Sequence, residues 1–345
     1  MSPVDFASFE RLARTAERGL FDFLLLSGVP GSPVHDGRVH APDTVGRPEA
    51  TTVLNALAAV TERLGLAVTA DAISGEPYEL ARRLATLDHL SEGRAAWNVV
   101  TSPDAAAAGN LRRGGCPDAR DAYPLAVECV EVARQLWDAW TPDGVSRPIA
   151  HRGRYFDIEG EFTVPRPPQG HPVVIHTGDS PAGREFAARA ADVVLADWGS
   201  GDGLSAGRFR PGALEAGRAL RAELNGRLAA YGRSPEELKI MPLVGFVLGD
   251  TAAEARERAG RTVVESSGRR PITGTPEAVA AELDEGVRTG AADGFVLVPP
   301  ATPGALEEFV DRVVPLLQER GAFRTEYTGT TLRSHLGLAE PVWKG

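Results

Sequence analysis

Hydrophobic residues along this chain fall into two kinds of run that alternate. Short continuous apolar stretches recur at Phe21–Leu26, Leu66–Ala70, Ala95–Val100, Val173–Ile175, Asp192–Ala196, Met241–Leu248 and Gly294–Val298. Their apolar residues are consecutive rather than every second one, which is the signature of strands buried on both faces in a parallel sheet. Between them apolar residues return every three or four positions, the helical period. Val53, Leu54, Leu57, Val60 and Leu64 mark such a helix over Thr51–Arg63. Pro77–Leu90 opens on proline and stops ahead of Gly93, the usual asymmetry of helix ends. Val4–Arg18, Leu125–Trp140, Leu214–Tyr231, Thr251–Val264, Pro276–Thr289 and Leu306–Arg320 complete the set.

Strands alternating with helices imply right-handed crossovers, hence a doubly wound sheet or a closed barrel. No glycine-rich dinucleotide fingerprint follows the first run, which favours the barrel. The pattern predicts an α/β fold of the TIM (β/α)8 type, one domain over residues 1–345 without repeat or linker. Seven runs are visible where a complete barrel has eight. The chain opens with the helix Val4–Arg18, so the missing element is the N-terminal first strand. Residues 151–165 contain a stretch, Arg152–Pro165, that alternates about a central Glu159-Gly160 and reads as a surface hairpin outside the barrel. Residues 321–345 read as a C-terminal tail.

Composition then narrows the function classes. A net charge of −10 argues against a nucleic-acid binder, which would carry a basic face. Cys116 and Cys129 form no ligand spacing and suit a reducing compartment. The start lacks an apolar leader segment, and no later apolar run approaches the length of a membrane span, so no membrane association and a cytoplasmic location are expected. His35 and His40 share a Gly-rich loop without a carboxylate at metal spacing, and no metal is expected.

In a barrel, ligands bind at the C-terminal ends of the strands. Those ends carry Ser27-Gly28, Thr69-Ala70-Asp71, Asn98 with Thr101-Ser102, His176-Thr177-Gly178 and Pro299-Pro300. The most informative stretch is Val173–Ala188, where a buried strand runs into Gly178, then Ser180 at an N-cap and Pro181 at the first helical position. Free N–H groups at such a helix start bind phosphate readily, though many capped helices bind nothing. Asp179 opposes an anion there unless its side chain turns away. Asp71 is a weaker candidate, for a general base or for a structural carboxylate at the barrel rim.

At Glu76–Ser102, EPYELARRLATLDHLSEGRAAWNVVTS, the chain resembles the nitrilotriacetate monooxygenase component A branch of the bacterial luciferase superfamily. That branch includes long-chain alkane and dibenzothiophene-sulfone monooxygenases. The resemblance continues through His151–Ala196 (HRGRYFDIEGEFTVPRPPQGHPVVIHTGDSPAGREFAARAADVVLA), Gly274–Leu283 and Asp293–Tyr327, in the family's order. It implies a barrel that binds reduced FMN (FMNH2) supplied by a separate NAD(P)H:flavin reductase. A flavin C4a-(hydro)peroxide formed with O2 then oxygenates a small organic substrate. It also implies a homodimer or higher oligomer. By position, Thr69 matches a flavin-contacting threonine, and Asn98 and Thr101 lie in the block beside the ring. Tyr123 matches the tyrosine that hydrogen-bonds the flavin phosphate, and Gly178, Asp179 and Ser180 match the phosphate-binding helix start.

The chain departs from that pattern in several places, and no catalytic residue is assigned. Gly28 stands where an acidic residue is usual, Ala119 where a histidine precedes the phosphate tyrosine, and Pro103 where a relative has a histidine implicated in catalysis. Asp71-Ala72-Ile73 replaces a Ser-Thr-Thr segment. Most of the cap insertion after Met241–Leu248 is missing, leaving about Ser266–Thr273. Each lost polar contact costs about 1 kcal/mol of flavin affinity. Three functions are therefore in play: an FMNH2-dependent monooxygenase, a flavin-binding homologue without turnover, and a subunit that partners a complete paralogue.

Overall fold

The computed structural model describes residues 5–27, 34–35, 38–39, 48–73, 75–101, 119–196, 209, 212–261, 271–300 and 304–344. Contacts group the chain into two compact units. The first comprises Met1–Glu17, Phe21–Thr177 and Thr328–Gly345; the second comprises Arg18–Leu20 and Gly178–Tyr327.

The first unit begins with helix α1 (Phe6–Arg18), followed by strand β1 (Phe23–Ser27), α2 (Ala50–Ala58) and β2 (Gly65–Asp71). Next come α3 (Pro77–Leu90), β3 (Ala95–Val100) and α4 (Ala119–Asp138). A hairpin of β4 (Ile149–Arg152) and β5 (Asp157–Gly160) precedes β6 (Val173–Thr177). Strands β1, β2, β3 and β6 lie side by side in that order, all parallel. Leu66, Ala67, Ala95 to Trp97, Val99 and Val173 to Ile175 are buried on both faces of this sheet, which is why their runs are continuous. Helix starts are set locally. The Glu49 carboxylate accepts the N–H groups of Thr51 and Thr52 at 2.9 and 2.7 Å ahead of α2, and Pro77 occupies the first turn of α3.

Two features of this unit depart from the sequence expectation. The hairpin turns at Gly153–Phe156, not at Glu159-Gly160, because Arg152 pairs with Asp157. The cause is the Glu128 carboxylate on α4, which accepts the N–H groups of Arg154, Tyr155 and Phe156 at 3.2, 3.1 and 2.9 Å. The second feature is the tail. Residues around the single turn Leu332–His335 pack at the N-terminal ends of the strands. There the Leu332 N–H donates to the Gly93 carbonyl (3.0 Å), and the buried Arg333 donates from Nε to the His171 carbonyl (2.9 Å). Gly65 is left no room for a Cβ, which would sit 2.7 Å from Leu332 Cδ1.

The second unit runs α5 (Pro181–Ala190), β7 (Val193–Ala196), α6 (Ala213–Ala230), β8 (Lys239–Leu248) and α7 (Ala252–Arg261). It continues with β9 (Ile272–Gly274), α8 (Pro276–Arg288), β10 (Val296–Val298), α9 (Ala305–Arg312) and α10 (Val314–Glu319). The long β8 is its spine. Residues 239–242 pair with β7, 243–245 with β10 and 246–248 with β9, always in parallel. All seven apolar runs are thus strands. The three-residue β9 is an additional parallel strand, formed at the end of the segment assigned to the remnant of the cap. The helix expected over Leu306–Arg320 breaks between α9 and α10, where Pro315 has no N–H to continue the ladder. Pro124, by contrast, lies inside α4, which starts six residues before the expected Leu125.

Candidate functional site

At the C-terminal ends of three neighbouring strands of the first unit, three polar side chains form one hydrogen-bonded series. The Thr177 hydroxyl donates to Asn98 Oδ1 at 3.1 Å, and Asn98 Nδ2 donates to Thr69 Oγ1 at 3.1 Å. Strand register accounts for the alignment. Thr69 pairs with Asn98 and Asn98 with Ile175, so Thr177, two residues further on, projects to the same face. Thr69 and Asn98 are only 7% and 5% exposed, so their polar atoms are held by each other rather than by water. The series has a direction. Thr69 accepts at its oxygen, and its own hydroxyl proton is not used within the series. Thr101 is buried just beyond β3.

Behind this series, on the opposite face of β6, His176 is fully buried and contacts the Val99 carbonyl through Nδ1 at 3.3 Å. Burial pushes its pKa down to about 4 against the smaller opposing effect of that hydrogen bond, so the ring is neutral at physiological pH. Its edge meets the ring of Tyr123 in a T-shaped contact, 5.9 Å between centroids at 74°. Tyr123 stands half-buried in the first turns of α4.

In the second unit, the start of α5 has the geometry its sequence implies. Ser180 is extended (φ −69°, ψ 156°), its Oγ accepts the Gly183 N–H at 3.0 Å, and Pro181 follows at the first helical position. Asp179 does not aim its charge forward from this helix start. Its Oδ1 accepts from Arg184 Nε and Nη2 at 3.0 and 2.8 Å, one turn along α5. Arg184 also pairs with Glu223 of α6 at 2.6 Å. The arginine thus holds the Asp179 carboxylate back along α5 and offsets part of its charge, which it shares with Glu223.

Other sequence candidates take structural places. Asp71 Oδ1 accepts the Ile73 N–H at 2.7 Å and closes its own turn. Ile73 packs with Ala122, Leu125, Tyr155 and Phe156, so the Asp71-Ala72-Ile73 segment has become part of an apolar seat for the start of α4. Cys129 is buried and its thiol is pushed up to about 12 by burial and by nearby carboxylates, which makes it inert. Gly28, Pro103, Cys116 and His40, together with the side chains of His35 and Ala119, lie outside the described residues. Among the described residues there is no cluster of three or more His, Cys, Asp or Glu able to hold a metal. Nor, among them, is any helix long and apolar enough to cross a membrane.

Sequence reading assigned no role to three of these groups: Thr177, which anchors the series; His176, which backs Tyr123; and Arg184, which pairs with Asp179. The signal for Thr177 was the two-residue strand period carried across a parallel register. For Arg184 it was a carboxylate five residues before an arginine across a helix start.

Residues 1–285 match the family model described as luciferase-like monooxygenase. Nitrilotriacetate monooxygenase component A of Aminobacter aminovorans is 35% identical, over 98% of this chain and 91% of its own length. That alignment spans 424 positions against a chain of 345 residues, so the relative carries segments with no counterpart here. Among solved structures, the EDTA monooxygenase of Chelativorans sp. BNC1 superposes with a TM-score of 0.82 at 30% identity, covering 97% of this chain and 92% of that one. A riboflavin lyase, solved with modified FMN and its substrate riboflavin, superposes at 0.84 with 27% identity, covering 99% and 90%. These likenesses assign the fold to the α/β barrel class of luciferase-like monooxygenases.

Proposed function

The chain belongs to the luciferase-like monooxygenase family of flavin-dependent oxidoreductases, and from that premise we propose that it is the oxygenating component of a two-component system. It takes up FMN in the reduced form from a separate NAD(P)H:flavin reductase and transfers one oxygen atom of O2 to a small organic substrate, the other leaving as water. The observation that carries this reading is the Thr177–Asn98–Thr69 series. It presents a neutral hydroxyl donor at the strand ends, the chemistry suited to the heteroatom edge of an isoalloxazine. Reduced flavin supplies the electrons and the activation of oxygen.

The residues of this chain bind, orient and enclose. Thr69 donates to the ring system, and Asn98 fixes the direction of that donation while Thr101 walls the same strand end. Tyr123 offers a hydroxyl donor to the phosphate, and the helix start at Gly178, Asp179 and Ser180 is a second, separate candidate for the same group. Neutral hydroxyl and amide donors suit a dianion without adding a proton source next to the flavin. Asp179 is engaged by Arg184, which offsets part of the opposing charge at the helix start.

The test is titration with oxidised and reduced FMN, followed by mixing with oxygen and candidate substrates. Tyr123→Phe and Ser180→Ala should each weaken FMN by about 1–2 kcal/mol, the range for a hydrogen bond to a charged group. Ser180→Ala also removes a helix cap, so its melting temperature must be measured in parallel. Unchanged affinity in both variants would move the phosphate elsewhere. A second reading, flavin binding without turnover, is favoured by Gly28, Ala119 and Pro103. Tight FMN binding with stoichiometric hydrogen peroxide release under every condition would select it.

A further inference from the structure

Tyr123 sits at a point where its helix is poorly able to hold it. Pro124 follows it inside α4 and has no N–H to give to the Arg120 carbonyl, so the first turn lacks one rung of its ladder. The residue before a proline is also driven away from helical backbone angles, and here that residue is Tyr123 itself. Something outside the helix must therefore keep the turn in place.

The turn Gly153–Phe156 is built to do so. Tyr155 donates its hydroxyl to Asp121 Oδ1 at 2.7 Å, two residues before Tyr123. The same oxygen accepts from Arg154 Nη2 at 2.9 Å, while the Arg154 guanidinium lies 4.9 Å over the Tyr155 ring. Five residues after Tyr123, Glu128 accepts three successive N–H groups of the turn and contacts His151 Nε2 at 3.2 Å. That approach requires Gly153, since a Cβ there would stand 2.0 Å from Glu128 Oε1. Tyr155 and Phe156 pack on Ala122 and Leu125, either side of the Tyr123–Pro124 pair. The loop therefore grips α4 before, beside and after Tyr123.

We propose that Tyr155 is a positioning residue for Tyr123, and that the Tyr155–Asp121 hydrogen bond sets the affinity of the site for the phosphate group of its ligand. This rests on the reading that Tyr123 holds the flavin phosphate. The ring system of the flavin is addressed by other residues, so the clamp matters for FMN and not for riboflavin, which lacks the phosphate.

The experiment measures affinity for FMN and for riboflavin in the wild type, Tyr155→Phe, Tyr123→Phe and the double variant, with melting temperatures for all four. Hydrogen exchange of the amides around Arg120–Tyr123 is followed without flavin. Tyr155→Phe should weaken FMN about tenfold and riboflavin less than about twofold. It should speed exchange in that turn while the melting temperature stays near wild type. In the Tyr123→Phe background, Tyr155→Phe should add nothing. Asp121→Asn, which keeps an acceptor for the Tyr155 hydroxyl, should retain most of the FMN affinity. Equal losses for FMN and riboflavin, no loss at all, or losses that add fully to those of Tyr123→Phe would each overturn the proposal. A wild type that binds FMN no better than riboflavin would remove the phosphate reading beneath it, and the proposal with it.

Discussion

His176 and Asp88 show how two buried side chains can pull stability in opposite directions over one pH range. Burial holds the folded pKa of His176 at about 4, well below its ordinary 6.5. The folded state therefore binds the proton less tightly than the unfolded chain. Stability from this residue is fully present above about 6.5 and drains away as pH falls toward about 4, in total roughly 3 kcal/mol. Asp88 has the opposite sign. It accepts N–H bonds from Ala95 and from the backbone and side chain of Gln169, yet burial pushes its pKa up to about 6. Its contribution is present below 3.8 and lost as pH rises through about 6. Between about 4 and 6 the two partly cancel, so the wild-type curve alone hides both. Urea unfolding of His176→Gln from pH 7 to 4.5 should show a shallower acid loss than wild type, and Asp88→Asn a steeper one. Parallel curves for all three proteins would sink this account.

At the scale of elements, the clamp between the hairpin and α4 makes a prediction about glycine. Gly153→Ala forces either the loop or Glu128 to move, because a Cβ would lie 2.0 Å from Oε1 and 2.6 Å from His151 Nε2. Overpacking of that kind costs about 1–3 kcal/mol. Chemical unfolding should show the loss, and Glu128→Gln should lower stability by a similar mechanism from the other side. The tail makes a second prediction. Leu332 is fully buried against Gly65, so Leu332→Ala should cost about 2–5 kcal/mol by opening a cavity at the N-terminal ends of the strands. A loss under about 1 kcal/mol would mean that the tail packs loosely.

These elements also show what sequence pattern can and cannot resolve. The seven strands of the apolar runs were legible because their apolar residues are consecutive rather than every second one. Ile272–Gly274 was not, since Ile-Thr-Gly makes no apolar run. The start of α5 was legible because capping is local chemistry between Ser180 and Gly183. The hairpin turn was misplaced because Glu159-Gly160, a good turn by local rules, lost to a carboxylate supplied by a residue of α4. The Thr177–Asn98–Thr69 series was hidden because its links span 79 and 29 residues. Only the register of a parallel sheet brings such positions together, and register cannot be read from one strand at a time.

For the whole molecule, the sharpest expectation concerns where the reducing electrons enter. A protein that oxidises NAD(P)H itself needs a seat for a dinucleotide, most often a glycine-rich turn between a strand and a helix whose start binds the pyrophosphate. After β1 the sequence runs Ser27-Gly28-Val29-Pro30-Gly31, without that spacing. The strand-to-helix junction from Thr177 to Pro181 is committed in our reading to the flavin phosphate, and the similarly capped junction at Thr275–Pro276 lacks the glycine-rich turn. Purified protein with FMN and NADH should therefore consume neither NADH nor oxygen above the rate of free flavin. Adding an unrelated NAD(P)H:flavin reductase should start formation of oxygenated product, and a dialysis membrane that passes FMN but not protein should not abolish it. FMN reduced by light, with no nicotinamide present, should serve equally well and give the same product from a given substrate. If NADH were consumed by this chain alone, the protein would hold a nicotinamide site unlike anything its described strand ends present. If light-reduced FMN failed where the reductase succeeded, a direct complex between the two proteins would be needed to hand the flavin over.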